Sequence, residues 1–346
     1  MIRIYTNEEY LTQEYRSYVF PLLFDLHYLE HSKLDSYYKL VDSPESCDLA
    51  IFPIDITRLL FLRRQKELDD FVNRVRSYTK NIWVYSGGDI GNTIDYKDVT
   101  VFRLGGFQSK LSRLSRTLPS FIEDPLINTL QRDWRPLAKS KLPEIGFVGH
   151  AKSGLIKYLE EISSFIRWNL RRYRKTAYSD FQPFYPSGAK RANYLKILQN
   201  DSRLSCNFIL RSKYRAGATT QEVRNRTTLE FFENIYNNCY TFCMRGHGNF
   251  SVRLYEVISL GRIPILVDTD CKLPLGEVID WESHAIICKE EEIKRLPQII
   301  HDFHTNISEE KLVQLQKNNR QLWLEKLSRE AYFITMHDLF EEPVYE

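Results

Sequence analysis

The stretch Cys239–Asp270, CYTFCMRGHGNFSVRLYEVISLGRIPILVDTD, decides how the rest of the chain is read. Tyr240–Met244 is an aromatic and apolar run with the make-up of a strand. Arg245-Gly246-His247-Gly248 follows as a basic, glycine-bearing loop. Ser251–Leu260 has helical spacing, with Leu254, Val257 and Ile258 on one face and Gly261 where a helix stops. Ile263–Val267 reads as the next strand. Strand, loop, helix, strand is the rhythm of a parallel α/β sheet, whose functional residues gather beyond the carboxyl ends of the strands.

The residues at that edge suit an anion. Gly246 and Gly248 permit positive φ and close approach to the backbone. The helix beginning near Asn249–Ser251 turns free N–H groups and the positive end of its dipole towards the loop, and Ser251 adds a hydroxyl. Arg245 and Arg253 bracket the loop with guanidinium forks that match phosphate oxygens. Glu256, three residues after Arg253, shares its helix face and leans back towards the crevice, where a carboxylate can accept from two ribose hydroxyls. The same residues also fit a plain strand–helix–strand unit with an Arg253–Glu256 salt bridge. Spacing alone leaves both readings open.

Working outward, the first part of the chain alternates strand-like runs (Ile2–Tyr5, Asp48–Ile54, Asn81–Tyr85, Thr100–Leu104) with helical segments at Glu8–Leu26 and Arg58–Thr79. Their ends carry Asp55, Asp89 and Gly105-Gly106. Residues 107–141, punctuated by Pro119, Pro125 and Pro136, break this rhythm and read as a linker. A second series follows: Ile145–Val148 ending in Gly149-His150, a helix over Gly154–Arg174, and a strand Cys206–Leu210 ending in Arg211. A helix Thr227–Asn237, the quoted stretch, a strand at Ala285–Cys288 and a helix over Ser308–Leu327 complete it. The predicted class is α/β with two Rossmann-like domains, 1–140 and 141–346, facing across a cleft, with the C-terminal helices crossing back to the first.

Composition excludes several function classes. The 48 Lys and Arg against 45 Asp and Glu give a net charge of +3, too small for a general nucleic-acid binder. The 21 Tyr and 20 Phe read first as an ordinary core and only second as a carbohydrate cleft. RWNLRRYRK, Arg167–Lys175, is a local exception to the even charge. It reads as a solvated helix face or as a surface for anionic glycans or lipid headgroups, and so for peripheral membrane contact. The start, MIRIYTNEEY, lacks the apolar core of a signal peptide, and no run approaches the ~20 apolar residues that span a bilayer. The six cysteines show no C-x-x-C pair or zinc spacing and read as reduced thiols. The expected location is the cytoplasm.

The central stretch resembles the signature of the exostosin-like glycosyltransferases: an R-G-x-G-like loop, S-x-R-x-x-E, then G-x-I-P-V. Here these are Arg245–Gly248, Ser251–Glu256 and Gly261-Arg262-Ile263-Pro264-Ile265. FFENIYNNCYTFC upstream and the run from Leu273-Pro274 to Ile279-Asp280-Trp281 downstream are also similar, so the likeness covers roughly Cys206–Trp281. The resemblance implies a GT-B fold and transfer, with inversion, from a nucleotide-sugar, usually a UDP-sugar, to a hydroxyl of a glycan or glycolipid. It implies that Arg245, Ser251 and Arg253 hold the diphosphate and Glu256 the ribose. Arg211 is a further diphosphate candidate, against a plain solvated charge beside Lys213 and Arg215.

Such a transfer needs a base on the far face of the sugar, from across the cleft. Asp89 is the first candidate, Asp55 the second and His150 the third; each aspartate also suits a helix cap or turn. Asp268-Thr269-Asp270 has the D-x-D form of metal-dependent transferases. Its place after the phosphate-capping helix makes it a loop instead, so no metal is expected. Two alternatives stand beside this reading. One is an α1,3-fucosyltransferase-like GDP-sugar enzyme, which shares Phe232-Glu233-Asn234 but starts its donor helix with T-E-K where this chain has Ser251-Val252-Arg253. The other is a catalytically inactive glycan- or nucleotide-binding partner of a synthase complex.

Overall fold

The structure is a computed structural model that describes residues 1–211, 217 and 219–341. Two parallel sheets organise it. The first holds β1 (Ile2–Thr6), β2 (Tyr38–Val41), β3 (Leu49–Ile51), β4 (Ile82–Ser86), β5 (Val99–Arg103) and β6 (Ser115–Thr117), in the order β2-β1-β3-β4-β5-β6. The second holds β7 (Glu144–His150), β8 (Ser205–Arg211), β9 (Tyr240–Cys243), β10 (Ile263–Asp268) and β11 (Ile286–Lys289), in the order β11-β10-β9-β7-β8. This is the two-unit α/β architecture that the sequence predicts.

In each sheet the first strand lies between the second and the third, so the winding reverses beside it. A crevice opens at the carboxyl edge of such a reversal. In the second sheet it falls between β7 and β9. The central strands β9 and β10 are almost wholly buried, which is why their sequences are near-continuous apolar runs rather than alternating ones.

The helices are α1 (Pro21–Tyr28), α2 (Ile56–Phe61), α3 (Gln65–Val75), α4 (Leu155–Tyr173), α5 (Ser187–Gln199), α6 (Gln221–Asn237), α7 (Val252–Ser259), α8 (Leu296–Asn306), α9 (Glu309–Leu322) and α10 (Arg329–Glu341). Several differ from expectation. Glu8–Leu26 is not one helix: two short 3-10 turns precede α1, which starts on Pro21, whose fixed φ suits a first helical turn. The segment Arg58–Thr79 divides into α2 and α3 at Arg63, which sits at φ 57°. The residues read as a linker contribute β6, which pairs with β5.

The last helix leaves the second sheet and packs on the first. Phe333 of α10 lies against Phe20, with ring centroids 5.9 Å apart. Tyr38 donates to the Phe333 carbonyl at 2.7 Å. Arg329 pairs with the fully buried Asp25 at 2.8 Å. Burial lifts that carboxyl to about 6, against the pull of Arg329. Helix α7 is a shared wall: Leu254, Tyr255, Val257 and Ile258 belong to the same buried cluster as Phe20, Phe102 and Phe333. Among the described residues no helix is long and apolar enough to cross a membrane. All six cysteines are free thiols.

Candidate functional site

The two sheets meet at their carboxyl edges, and the loop after β9 is the meeting point. A β-carbon built on Gly248 would overlap the carbonyl oxygen of Asp89, in the loop after β4. Gly248 is therefore demanded by a backbone from the first half, where the sequence suggested an approaching phosphate. Gly246 has nothing within 4 Å of its β-carbon position and is the open glycine of the pair. Asn249, 1% exposed, fixes the loop: its Nδ2 reaches the carbonyls of Gly106 (3.2 Å), Thr269 (3.0 Å) and Asp270 (3.0 Å). Gly105 makes room for Asn249 and Phe250 in the same contact.

Three arginines lie at the carboxyl ends of β7 and β9. Arg245 follows β9 and stacks between Tyr185 (4.6 Å to the centroid) and Phe107 (5.3 Å). Its Nη2 donates to Gln182 and to the His247 carbonyl. Arg253, in the first turn of α7, reaches across to the Val148 carbonyl at 2.7 Å and lies 4.2 Å from the centre of the Phe147 ring. Arg191, on α5, donates to the carbonyls of His150 (3.0 Å) and Arg245 (3.2 Å), and so ties the ends of β7 and β9 together.

None of the three forms an ion pair with a carboxylate among the described residues, and the Nε of each is buried without a hydrogen-bond partner. Burial pulls all three below the ordinary arginine value, Arg191 to about 10 with the Arg253 charge adding to the effect. They remain cations at neutral pH. Arg262 is the instructive contrast. It is fully buried, as Arg191 and Arg253 are not, and its donors are spent on the Tyr236 and Arg135 carbonyls and on Gln316. A buried charge left without an opposite charge is unfavourable by several kcal/mol. Three together, with donors to spare, are chemically suited to a multiply charged anion.

Helix α7 adds the rest. Ser251 is its N-cap residue, but its hydroxyl does not cap the helix, which leaves hydroxyl and early N–H groups for a ligand. Arg253 and Glu256 make no ion pair with each other, so the plain salt-bridge reading of the motif does not hold. Burial raises the Glu256 carboxyl to about 7, only partly offset by the Arg253 charge. A half-buried carboxylate with no donor among the described residues is suited to receive hydroxyls.

The remaining predicted residues divide. Arg211, at the end of β8, is bound to α6 through its Nη2, which meets the Thr227 carbonyl (2.9 Å) and pairs with Glu230. Lys213 and Arg215 lie outside the described residues. Asp55 caps α2 through Thr57 N–H and also accepts from Gly87 N–H, both at 2.9 Å, which joins the ends of β3 and β4. Burial nevertheless raises its carboxyl above the usual range. Asp89 is exposed, with a carboxylate that takes no hydrogen bond among the described residues, and its own carbonyl rests on Gly248. His150 lies in the second half beside Arg191; burial, then Lys157 and Arg191, lower it, so it is neutral at pH 7. Asp268 accepts from Cys271 N–H at 2.9 Å, and Asp270 receives Ser109 from the other half. The two carboxylates of the D-x-D thus hold a turn and a contact between the halves.

Sequence reasoning missed Arg191 and the support beneath Arg245. Tyr185 carries the ring on which Arg245 stacks, and its hydroxyl donates to Glu290 at 2.6 Å. Tyr194 donates to the same carboxylate at 2.7 Å, and Lys190 pairs with it at 3.0 Å. The available signal was the cluster of Tyr, Lys and Arg over 185–194, within α5 and just before it.

Residues 187–303 match the Exostosin GT47 domain family. This third of the chain resembles that family. The matched segment contains Arg191, Arg245, Ser251, Arg253 and Glu256, and neither Asp55 nor Asp89. Exostosin-1b of Danio rerio is 26% identical over 110 residues, 32% of this chain and 14% of that protein. A probable glucuronosyltransferase of Oryza sativa subsp. japonica is 27% identical over 77 residues, 22% of this chain and 18% of that protein. The chain thus spans less than a fifth of these curated relatives. A solved α1,3-fucosyltransferase overlays 99% of this chain on 91% of its own, at a TM-score of 0.37 and 10% identity. Likeness at that level assigns neither donor nor acceptor.

Proposed function

We propose that the chain is a glycosyltransferase that takes a UDP-sugar at the β7/β9 crevice and passes the sugar, with inversion, to a hydroxyl of a glycan or glycolipid. The observation that carries this reading is the set of three arginines, each with a buried and unpartnered Nε and no ion pair to a carboxylate among the described residues, inside the exostosin-like segment. Arg191, Arg245 and Arg253, with Ser251 and the start of α7, hold the diphosphate; Glu256 takes the ribose hydroxyls.

In the reaction the acceptor oxygen bonds to the anomeric carbon as the bond from that carbon to the diphosphate oxygen breaks. The electron pair leaves with the nucleoside diphosphate. Fixed cations favour this step because the leaving group gains charge in the transition state, an effect of about 3–4 kcal/mol for one well-placed donor. The acceptor proton passes to Asp89, an exposed residue whose backbone carbonyl meets the glycine loop. No metal is assigned a role, since positive charge for the diphosphate is supplied by side chains. A panel of UDP, GDP and their sugars in calorimetry tests the reading: UDP binds and GDP does not. Preference for GDP would replace it with the fucosyltransferase-like alternative.

A further inference from the structure

Helix α4 carries an apolar stripe on its outer side, besides the aromatic residues Tyr158 and Phe165 that meet Phe184. It runs for 19 residues, about 28 Å, and none of them is buried. Leu155, Ile156, Leu159, Ile166, Leu170 and Tyr173 fall within an arc of about 100° on the helical wheel, and each is between 44% and 85% exposed. The polar and mixed face is the one that meets the protein. Glu161 accepts from Gly188 N–H at 3.1 Å, Arg172 donates to the Ser179 carbonyl at 2.9 Å, and Trp168 stands edge-on to His247, centroids 5.8 Å apart. The outer apolar stripe has no protein partner among the described residues.

The charges around the stripe identify what covers it. Arg167 and Arg171 lie along one flank, and Lys152, Arg174 and Lys175 at the ends; all are exposed, with Glu160 the acidic residue among them. An apolar stripe edged by cations and ending in an aromatic is the pattern of a helix lying in a lipid interface. Two copies laid antiparallel along the same stripe would set basic flank against basic flank. We infer that α4 is a docking helix for an anionic lipid bilayer, seated with its apolar stripe in the interface and its arginines on the headgroups. Through Trp168 it sits against the His247 loop, so docking brings the β7/β9 crevice close to the membrane. The inference rests on α4 alone and stands or falls separately from the donor reading.

The test is flotation of the full chain with vesicles of one part phosphatidylglycerol to two of phosphatidylcholine, against phosphatidylcholine alone. The protein floats with the anionic vesicles and less at high salt. Ile166→Glu and the pair Arg167→Glu with Arg171→Glu each cut the bound fraction by about tenfold or more, while UDP binding is unchanged. In the unsubstituted protein, anionic vesicles slow amide hydrogen exchange over 155–175. Equal flotation on both vesicle types, or unchanged exchange in α4, overturns the inference. So does a dimer in light scattering that Ile166→Glu dissociates, or binding to a soluble anionic polysaccharide without binding to vesicles.

Discussion

Gly248 of the second half and Asp89 of the first are interlocked: the α-carbon of one lies against the carbonyl of the other, with no room for a methyl group between them. Replacing Gly248 with alanine forces the halves apart and is expected to cost about 1–3 kcal/mol, the usual range for overpacking. A larger radius of gyration in small-angle scattering, together with a lower melting temperature, is the signature. Gly246→Ala, with open space at its β-carbon, leaves both unchanged. Identical behaviour of the two variants would show that the loops are not locked together.

The unpaired arginines should serve the ligand rather than the fold. Arg191→Met removes a buried charge that has no carboxylate partner. Without ligand the stability is expected to hold or to rise, because an unpaired charge is removed from a part-buried site. Affinity for UDP falls about tenfold to a hundredfold, the worth of a charge-assisted hydrogen bond. Thermal shift with and without UDP separates the two effects. A large loss of melting temperature in the free protein would make Arg191 a structural tie between β7 and β9.

Glu256 gives a pH signature. Burial raises its carboxyl from 4.5 to about 7, so the folded protein binds a proton more tightly than the unfolded chain does. Its contribution is fully present below the unfolded value of 4.5 and is lost as pH rises through about 7, a loss of about 3–4 kcal/mol at most. Glu256→Gln should flatten the stability curve across that window. If the carboxylate form takes the ribose, UDP binding at a pH of about 6.5 releases a proton, which calorimetry in buffers of different ionisation enthalpy detects. No difference between the Glu256→Gln variant and the unsubstituted protein in either experiment would remove Glu256 from the site.

Asp89 and Asp55 are distinguished by what they hold. Asp89→Asn is expected to abolish transfer while UDP affinity stays within about twofold, because its carboxylate holds no part of the fold. Asp55→Ala removes an N-cap and the link to Gly87, and costs about 1–2 kcal/mol of stability. Loss of UDP binding in Asp89→Asn would assign it to structure. Transfer is further expected to persist in EDTA, with Asp268 and Asp270 acting as turn and contact residues; its abolition would return them to consideration as metal ligands.

The candidate site was legible where its residues are contiguous. Arg245, Ser251, Arg253 and Glu256 occupy one strand-to-helix turn, and local geometry alone brings them to one edge of a sheet. Arg191 was not legible, because α5 follows Pro183 and Pro186 and its apolar spacing appears only at Tyr194, Leu195 and Leu198. Strands β2 and β6 are short edge strands, Tyr-Lys-Leu-Val and Ser-Arg-Thr, with no pattern to read. Gly248 was legible as a special position but not for its reason, since the atom it makes room for comes from the other half of the molecule.

Titration of UDP into the full chain and into Arg253→Met is the most direct test of the donor site. The unsubstituted protein should bind one UDP, with the affinity lost about tenfold or more in the variant and GDP binding weakly to both. Equal affinity of the two proteins for UDP, or no binding to either, would contradict the assignment of the three arginines to a nucleoside diphosphate.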